Sequence, residues 1–81
     1  MTVSRTGELL QEIVRGLVDH PDQVEVDEED LGDTVVLHVR VDRDEIGRVI
    51  GRQGRTVKAL RTLLDLRSTD DVFYELEVDE S

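Results

Sequence analysis

The 81-residue sequence has no cysteine, no tryptophan, a single proline and only two aromatic side chains, Phe73 and Tyr74. Without cysteine, the chain can form neither a disulfide framework nor a thiolate metal site. No apolar run approaches the length of about 18 residues that a membrane span needs, and the amino-terminal stretch lacks the apolar region of a signal peptide. These absences predict a cytoplasmic protein, and the length of 81 residues predicts one small domain, residues 1–81, with an ordered core of about 7–79.

Charged residues are abundant but unevenly distributed along the chain. Ten basic residues stand against twenty acidic ones, which gives a formal net charge of −10. Between residues 43 and 67, however, seven basic and three acidic residues give +4, and the remainder therefore carries −14. Because salt screens charges beyond about 8–10 Å, the basic segment can attract an anionic ligand locally in spite of the overall charge.

Apolar periodicity predicts six elements in the order α-β-β-α-α-β. The predicted helices cover about 7–18, 46–50 and 54–65, and the predicted strands cover about 24–27, 34–41 and 72–78. Ser4 or Thr6 can cap the first helix, and residues 28–33 are predicted to form a hairpin turn. In the second strand, residues 35, 37, 39 and 41 should face the core and Val36 the solvent. Three amphipathic helices and three half-buried strands predict a two-layer α+β domain, a three-stranded sheet with the helices on one face.

Two closely spaced glycines separate the second and third predicted helices. Gly51 suits the left-handed conformation that often ends a helix. Gly54 would leave the first amides of the next helix uncovered by any Cβ, and a helix N-terminus carries unpaired donors and partial positive charge. Arg52, Arg55 and Lys58 would add positive charge around them. The loop is therefore a candidate site for a phosphodiester backbone.

The same spacing also fits a plain corner between two helices, in which the glycines only make the bend. The glycines at 47, 51 and 54 match neither the dinucleotide-binding nor the P-loop pattern, and they follow a helix instead of a strand. His20 and His38 have no cysteine partners, and the acidic runs lack the spacing of a calcium loop. No nucleophile and base are suitably arranged. The sequence thus predicts no cofactor, no metal and no enzyme activity.

The segment IGRVIGRQGRTVKALRTLL, residues 46–64, resembles the signature of the K-homology (KH) RNA-binding domain. The core of that signature is VIGxxGxxI followed by a basic residue; here Val57 replaces the isoleucine and Lys58 is the basic residue. The predicted element order resembles the type II, prokaryotic KH arrangement. With the opening LVDHPDQVEV at residues 17–26, the chain is similar to the small, single-domain bacterial proteins of the KhpA family.

The resemblance implies binding of about four nucleotides of single-stranded RNA, with the Gly-x-x-Gly loop against the sugar-phosphate backbone. It implies a small RNA chaperone or regulator of low sequence specificity. The implied RNA-binding residues are Gly47, Ile50, Gly51, Arg52, Gln53, Gly54, Arg55 and Lys58, of which Gly47 and Ile50 would form the apolar floor of the groove. Asp65 and the acidic loop 68–71 depart from the family's pattern, so a modest affinity is expected.

A second interpretation remains open, in which the chain is a protein-interaction module with weak or no RNA binding of its own. The acidic bulk of the chain favours it, as do Leu63 and Leu66 at the edge of the predicted core stripe. The resemblance implies two partners, a second copy of the chain and a larger KH-containing protein of the KhpB type. RNA binding and protein binding are compatible with each other.

Overall fold

The computed structural model describes residues 4–80. Its helices are α1 (Arg5–Arg15), α2 (Ile46–Ile50) and α3 (Arg55–Arg67), and its strands are β1 (Glu25–Asp30), β2 (Thr34–Val41) and β3 (Phe73–Glu80). Single 3₁₀ turns cover Pro21–Gln23, Arg43–Glu45 and Arg52–Gly54. The order α-β-β-α-α-β confirms the predicted α+β fold. Among these residues, no helix has the length and apolar character needed to cross a membrane.

The three strands form one mixed sheet in the order β1-β2-β3. β1 and β2 are antiparallel and are joined by a tight turn, whereas β2 and β3 are parallel. Parallel neighbours need a crossover connection, which α2 and α3 supply. The predicted turn at 28–33 was too long. β1 remains paired with β2 as far as Asp30, opposite Val35, and only residues 31–33 make the turn, with Gly32 at a φ of 99°.

All three helices cover the same face of the sheet. The core side chains are Leu10 and Val14 from α1, Val49 from α2, Val57, Leu60 and Leu64 from α3, and Val24, Val26, Leu37, Val39, Val41 and Leu76 from the sheet and the residue before it. The central strand contributes the most deeply buried residues, because Leu37, Val39 and Val41 are fully inaccessible. Helices on one face of a sheet bury the apolar stripes of both layers, as the periodicity predicted.

Val36 corrects the prediction for the second strand. It points away from the helices, yet it is only 7% exposed. Its neighbours in register are Glu29 on β1 and Glu75 on β3. Since β2 is the central strand, the side chains of both flanking strands cover Val36, and it needs no third layer to be buried. Sequence alternation alone does not reveal whether a strand is central.

The first helix is shorter than predicted. The Ser4 hydroxyl caps it by accepting a hydrogen bond from the Gly7 amide at 3.1 Å, which selects Ser4 over Thr6 as the cap. The helix ends at Arg15, where Gly16 forms the C-cap, three residues before the predicted end. Glycine has low helix propensity, which is consistent with this early end. Val18, beyond the helix, still packs against the core.

The connection from α1 to β1 is held by a buried carboxylate, that of Glu45, which is 4% exposed. Its Oε1 accepts hydrogen bonds from the amides of Asp19 at 2.6 Å and His20 at 3.0 Å. The same oxygen lies 3.1 Å from Nδ1 of His20. Glu45 directly precedes α2, so these contacts fix that helix against the connection. The sequence analysis did not single out Glu45, because its partners lie about 25 residues away.

Candidate nucleic-acid interface

The loop between α2 and α3 turns sharply through three residues with positive φ. Gly51 has φ 79° and ψ 169°, a region that only glycine readily occupies. Gln53 (φ 57°) and Gly54 (φ 72°) are both left-handed. The predicted left-handed residue at the end of the helix, Gly51, therefore has a different conformation. The left-handed turn lies two residues further on.

Gly51 is required for space as well as for conformation. A Cβ at this position would lie 2.2 Å from the Thr56 Oγ1 and 2.8 Å from the Thr56 backbone nitrogen. The start of α3 thus packs directly against the Gly51 backbone. Gly54 is different, because a Cβ there would meet only Val57 Cγ1 at 4.0 Å, and its positive φ alone favours glycine. The absent side chain thus makes room for Thr56 at Gly51, whereas at Gly54 it leaves the backbone uncovered.

The N-terminus of α3 has no side-chain cap. Gly54 occupies the N-cap position and has no side chain that could accept from the first turn. The Gly54 amide donates to the Gly51 carbonyl at 3.1 Å, which closes the 3₁₀ turn of the loop. The first amides of a helix lack intrahelical partners and carry partial positive charge. An anion approaching this end of α3 therefore displaces no side-chain cap, although the Arg55 amide already donates to the Arg52 carbonyl.

Four cations lie in the loop and on the first two turns of α3, and we call them the basic loop surface: Arg52, Arg55, Lys58 and Arg61. All four are exposed, and none forms an ion pair with any of residues 4–80. The Arg55 guanidinium donates only a long hydrogen bond, 3.4 Å, to the Gln53 side-chain oxygen. Arg48, by contrast, lies 3.0 Å from Asp19 Oδ2 and is neutralised there. Positive charge is thus available after Gly51 and compensated before it.

The remaining predicted residues lie on α2, one turn before the loop. The Gly51 amide donates to the Gly47 carbonyl at 2.8 Å, so Gly47 is tied directly to the loop. Gly47 is exposed, and a Cβ there would have nothing within 4 Å. Ile50 is partly buried and packs against the core. All eight predicted residues are therefore contained in one continuous segment, 47–58.

A cavity of about 330 Å³ lies between α3 and β3, and the sequence analysis missed it. It is lined by Arg61, Leu64, Asp65, Tyr74, Glu75 and Leu76. Lys58, Arg61 and Asp65 follow one another at spacings of three and four, so they share a face of α3. The cavity therefore continues the basic loop surface along the helix. One wall of the cavity is α3 and the other is β3. The cavity forms because β3 packs beside α3, which the sequence pattern did not predict.

The opposite side of the sheet is acidic. In register across the three strands lie Glu25, Arg40 and Asp79, then Asp27, His38 and Glu77, then Glu29, Val36 and Glu75. We call these nine residues the acidic sheet face. Six carboxylates flank one arginine and one histidine; Arg40 pairs with Asp27, and His38 Nε2 lies 3.2 Å from Glu29 Oε1. Possible metal-ligating atoms of His38, Glu77 and Asp79 lie within 4.8 Å of one another, but such an exposed group is not by itself a metal site.

Comparison with curated proteins gives relatives over most of the chain. The RNA-binding protein KhpA of Chlamydia muridarum is 42% identical over 74 residues, which cover 90% of this chain and 95% of that protein. The RNA-binding protein KhpA of Leifsonia xyli subsp. xyli is 54% identical over 55 residues, or 68% of this chain and 72% of that protein. Both are named for binding and not for catalysis, in agreement with the prediction that the chain is not an enzyme.

A solved structure shows the same fold. The crystal structure of Era in complex with MgGDPNP and nucleotides 1506–1542 of 16S ribosomal RNA superposes with a TM-score of 0.64 over 94% of this chain. The identity is 22%, and this chain spans 30% of the length of Era. The model of the family described as KhpA/KhpB, KH domain, matches residues 7–78. This chain therefore belongs to the KhpA/KhpB KH-domain family.

Proposed function

We propose that this chain binds single-stranded RNA by holding the sugar-phosphate backbone in the 51–54 loop. The observation that carries this proposal is the basic loop surface, four cations that pair with no acid among residues 4–80, beside an uncapped helix end in a protein with a net charge of −10. The names of the curated relatives support it. The proposed RNA-binding residues are Gly47, Ile50, Gly51, Arg52, Gln53, Gly54, Arg55 and Lys58.

The loop would contact RNA mainly through its backbone. Gly54 has no side chain at the N-cap of α3, so a phosphate can approach that helix end closely, and the helix dipole favours its negative charge. Arg52 and Arg55 flank that position, and Lys58 lies one turn further along α3. These contacts recognise phosphate and sugar, which every nucleotide shares. The clamp itself would therefore bind with little sequence preference, as suits a small RNA chaperone or regulator.

Salt should weaken this binding measurably. Three to five phosphate contacts to a single strand give a slope of roughly −2 to −3.5 in a plot of log K against log salt concentration. The acidic sheet face lowers the long-range attraction, so we expect a modest affinity. An affinity that does not change with salt would contradict a mechanism based on phosphate contacts.

Replacing both central loop residues tests the proposal. In R52D/Q53D, two carboxylates stand where the phosphate should lie, and binding of a labelled, unpaired oligoribonucleotide should fall by more than about tenfold. Both side chains are exposed, and aspartate tolerates the left-handed conformation of position 53, so the circular dichroism spectrum should not change. R5D/Q23D changes the net charge equally at exposed positions outside the loop and is the matched control. Equal affinities of the two variants would reject the proposal.

Association with other protein chains is a second candidate function, favoured by one observation. Leu66, at the C-terminal end of α3, is 78% exposed, and Leu63 beside it is only partly buried. A second copy of the chain or a larger KH-containing protein of the KhpB type would cover them. Measurement of the molar mass in dilute solution tests self-association. If two copies associate through Leu66, L66D should lower the measured mass from that of a dimer to that of a monomer. A strict monomer that binds RNA would remove the need for assembly with itself.

A further inference from the structure

The sheet face opposite the helices has no helix or strand packed against it among residues 4–80. We propose that this face binds a lysine- or arginine-rich segment of another protein, with an apolar side chain of that segment anchored at Phe73. The surface lies on the other side of the sheet from the helices that carry the basic loop surface, and it needs no RNA. The chain could therefore hold RNA and a basic protein segment at the same time.

A row of uncharged side chains extends the acidic sheet face at one end. Leu31 lies opposite Thr34, since its amide donates to the Thr34 carbonyl at 2.8 Å, and Thr34 is in register with Phe73. Phe73 also alternates along β3 with Glu75 and so shares its face of the sheet. Leu31 is 58% exposed and Phe73 is 56% exposed. Exposed apolar side chains that are grouped beside polar residues are typical of protein-binding surfaces.

The acidic rows next to that apolar row carry charge that the protein itself does not neutralise. Six carboxylates face one arginine, and both ion pairs of Arg40 are with β1. On β3, Glu75 and Glu77 are exposed, and their side chains form no ion pair or hydrogen bond with any of residues 4–80. Exposed carboxylates alone are common and do not define a binding site. Here they directly adjoin an exposed aromatic side chain, a residue type enriched among the anchors of protein interfaces.

Charge selects a cationic occupant for this face. A second copy of the chain would bring a further net charge of −10, and RNA would bring its phosphates, so the carboxylates would repel both. A segment rich in lysine or arginine has the complementary charge. Such complementarity speeds the encounter and fixes the orientation of the partner.

The dimensions of the face suit a single segment instead of a folded partner. Three strands about 4.8 Å apart are about 14 Å wide, and the eight residues of β3 are about 26 Å long. The resulting area of about 360 Å² is less than half of the roughly 800 Å² that each partner of a stable interface buries. Alternate side chains of an extended segment lie about 6.6 Å apart, as successive rows of the sheet do. A basic residue at every second position thus meets each acidic row, and an apolar residue at the end meets Phe73.

The test measures binding of a labelled peptide to the full chain by fluorescence anisotropy, without RNA. The peptide has one leucine followed by alternating lysine and serine. In E75Q/E77Q, its affinity should fall about fivefold, because two unpaired carboxylates are lost. E8Q/D22N removes the same charge at exposed positions outside the sheet and is the matched control. Its affinity should stay within about twofold of the unaltered chain.

The apolar anchor is tested with F73S and a second peptide that has serine in place of the leucine. Phe73 is exposed and does not belong to the core, so the circular dichroism spectrum of F73S should not change. The substitution should weaken binding of the leucine peptide about fivefold and of the serine peptide less than about twofold. Only the leucine peptide has a side chain for Phe73 to contact.

Each other outcome counts against the inference. If the leucine peptide does not bind the unaltered chain, the inference is overturned and the proposed function stands, because the samples contain no RNA. Equal losses of affinity in E75Q/E77Q and E8Q/D22N would mean that net charge alone attracts the peptide, and would also overturn it. Equal losses of both peptides in F73S would overturn the assignment of Phe73 as the anchor.

Discussion

The basic loop surface and the acidic sheet face differ in how their charges are compensated. On the sheet, Arg40 lies between two columns of carboxylates and pairs with Asp27 and, at 3.7 Å, with Glu25. Around the loop, four cations have no acidic partner among residues 4–80. An arginine on the sheet is already neutralised, whereas an arginine beside Gly51 can still bind a ligand.

This difference shows why net charge is a poor guide to ligand class in a small domain. The sequence carries twice as many acids as bases. This net negative charge, taken alone, argues against a polyanionic ligand. The fold puts nine of the twenty acids on the strands of the sheet, and it puts the four cations without an acidic partner among residues 4–80 on the helical layer. With a screening length of about 8–10 Å, a ligand at the loop responds mainly to the charges nearest to it.

The largest expected effect comes from removing the geometry on which the basic loop surface depends. In G51A, the new Cβ would collide with Thr56, and alanine would have to adopt a conformation reserved for glycine. We expect a loss of about 3 kcal/mol in the free energy of unfolding, together with loss of RNA binding. Urea denaturation and anisotropy titration measure the two effects.

G47A is the matched control for that change. A Cβ at Gly47 meets nothing within 4 Å, and the residue is inside a helix with an ordinary φ. Alanine should therefore leave stability unchanged or raise it by up to about 1 kcal/mol. If G51A and G47A had equal stabilities, the close contact of Gly51 with Thr56 would not be important.

A smaller effect is expected for the one buried acid of the basic segment. Glu45 accepts from two backbone amides, so E45A leaves both without a partner and should reduce stability by about 2 kcal/mol. This substitution distinguishes an acid that stabilises the fold from acids that contribute only to the electrostatic potential. E29A, an exposed acid of the sheet, should change stability by less than about 0.5 kcal/mol. Equal losses of stability in E45A and E29A would mean that the buried hydrogen bonds of Glu45 do not stabilise the fold.

The smallest expected effect is the loss of RNA affinity when a single arginine is replaced, and it should differ between an arginine without an acidic partner and one in an ion pair. R55Q removes one phosphate contact, so the affinity for an unpaired oligoribonucleotide should fall about threefold to tenfold, and the salt slope should become about 0.7 less steep. R40Q changes the net charge equally but removes a cation already compensated by Asp27. Its affinity should stay within about twofold of the unaltered chain. A larger effect for R40Q would show that the whole-molecule field controls binding.

The features that sequence predicted correctly depend on short-range patterns. Alternation located β2, helical spacing located α3, and the two glycines located the turn between α2 and α3. The features that it missed depend on how the elements pack against one another. Val36 is buried because β2 is central, and the cavity beside Arg61 exists because β3 returns next to α3.

The acidity of β1 has a consequence for the behaviour of the protein in concentrated solution. β1 is an edge strand, and five of its six residues, all except Val26, carry carboxylates. An unprotected edge offers free amides and carbonyls to strands of other molecules, and so nucleates aggregates. A second β1 approaching this edge would bring like charges into close opposition. Like charges should therefore oppose growth of the sheet through β1, and molecules in concentrated solution should not associate through that edge.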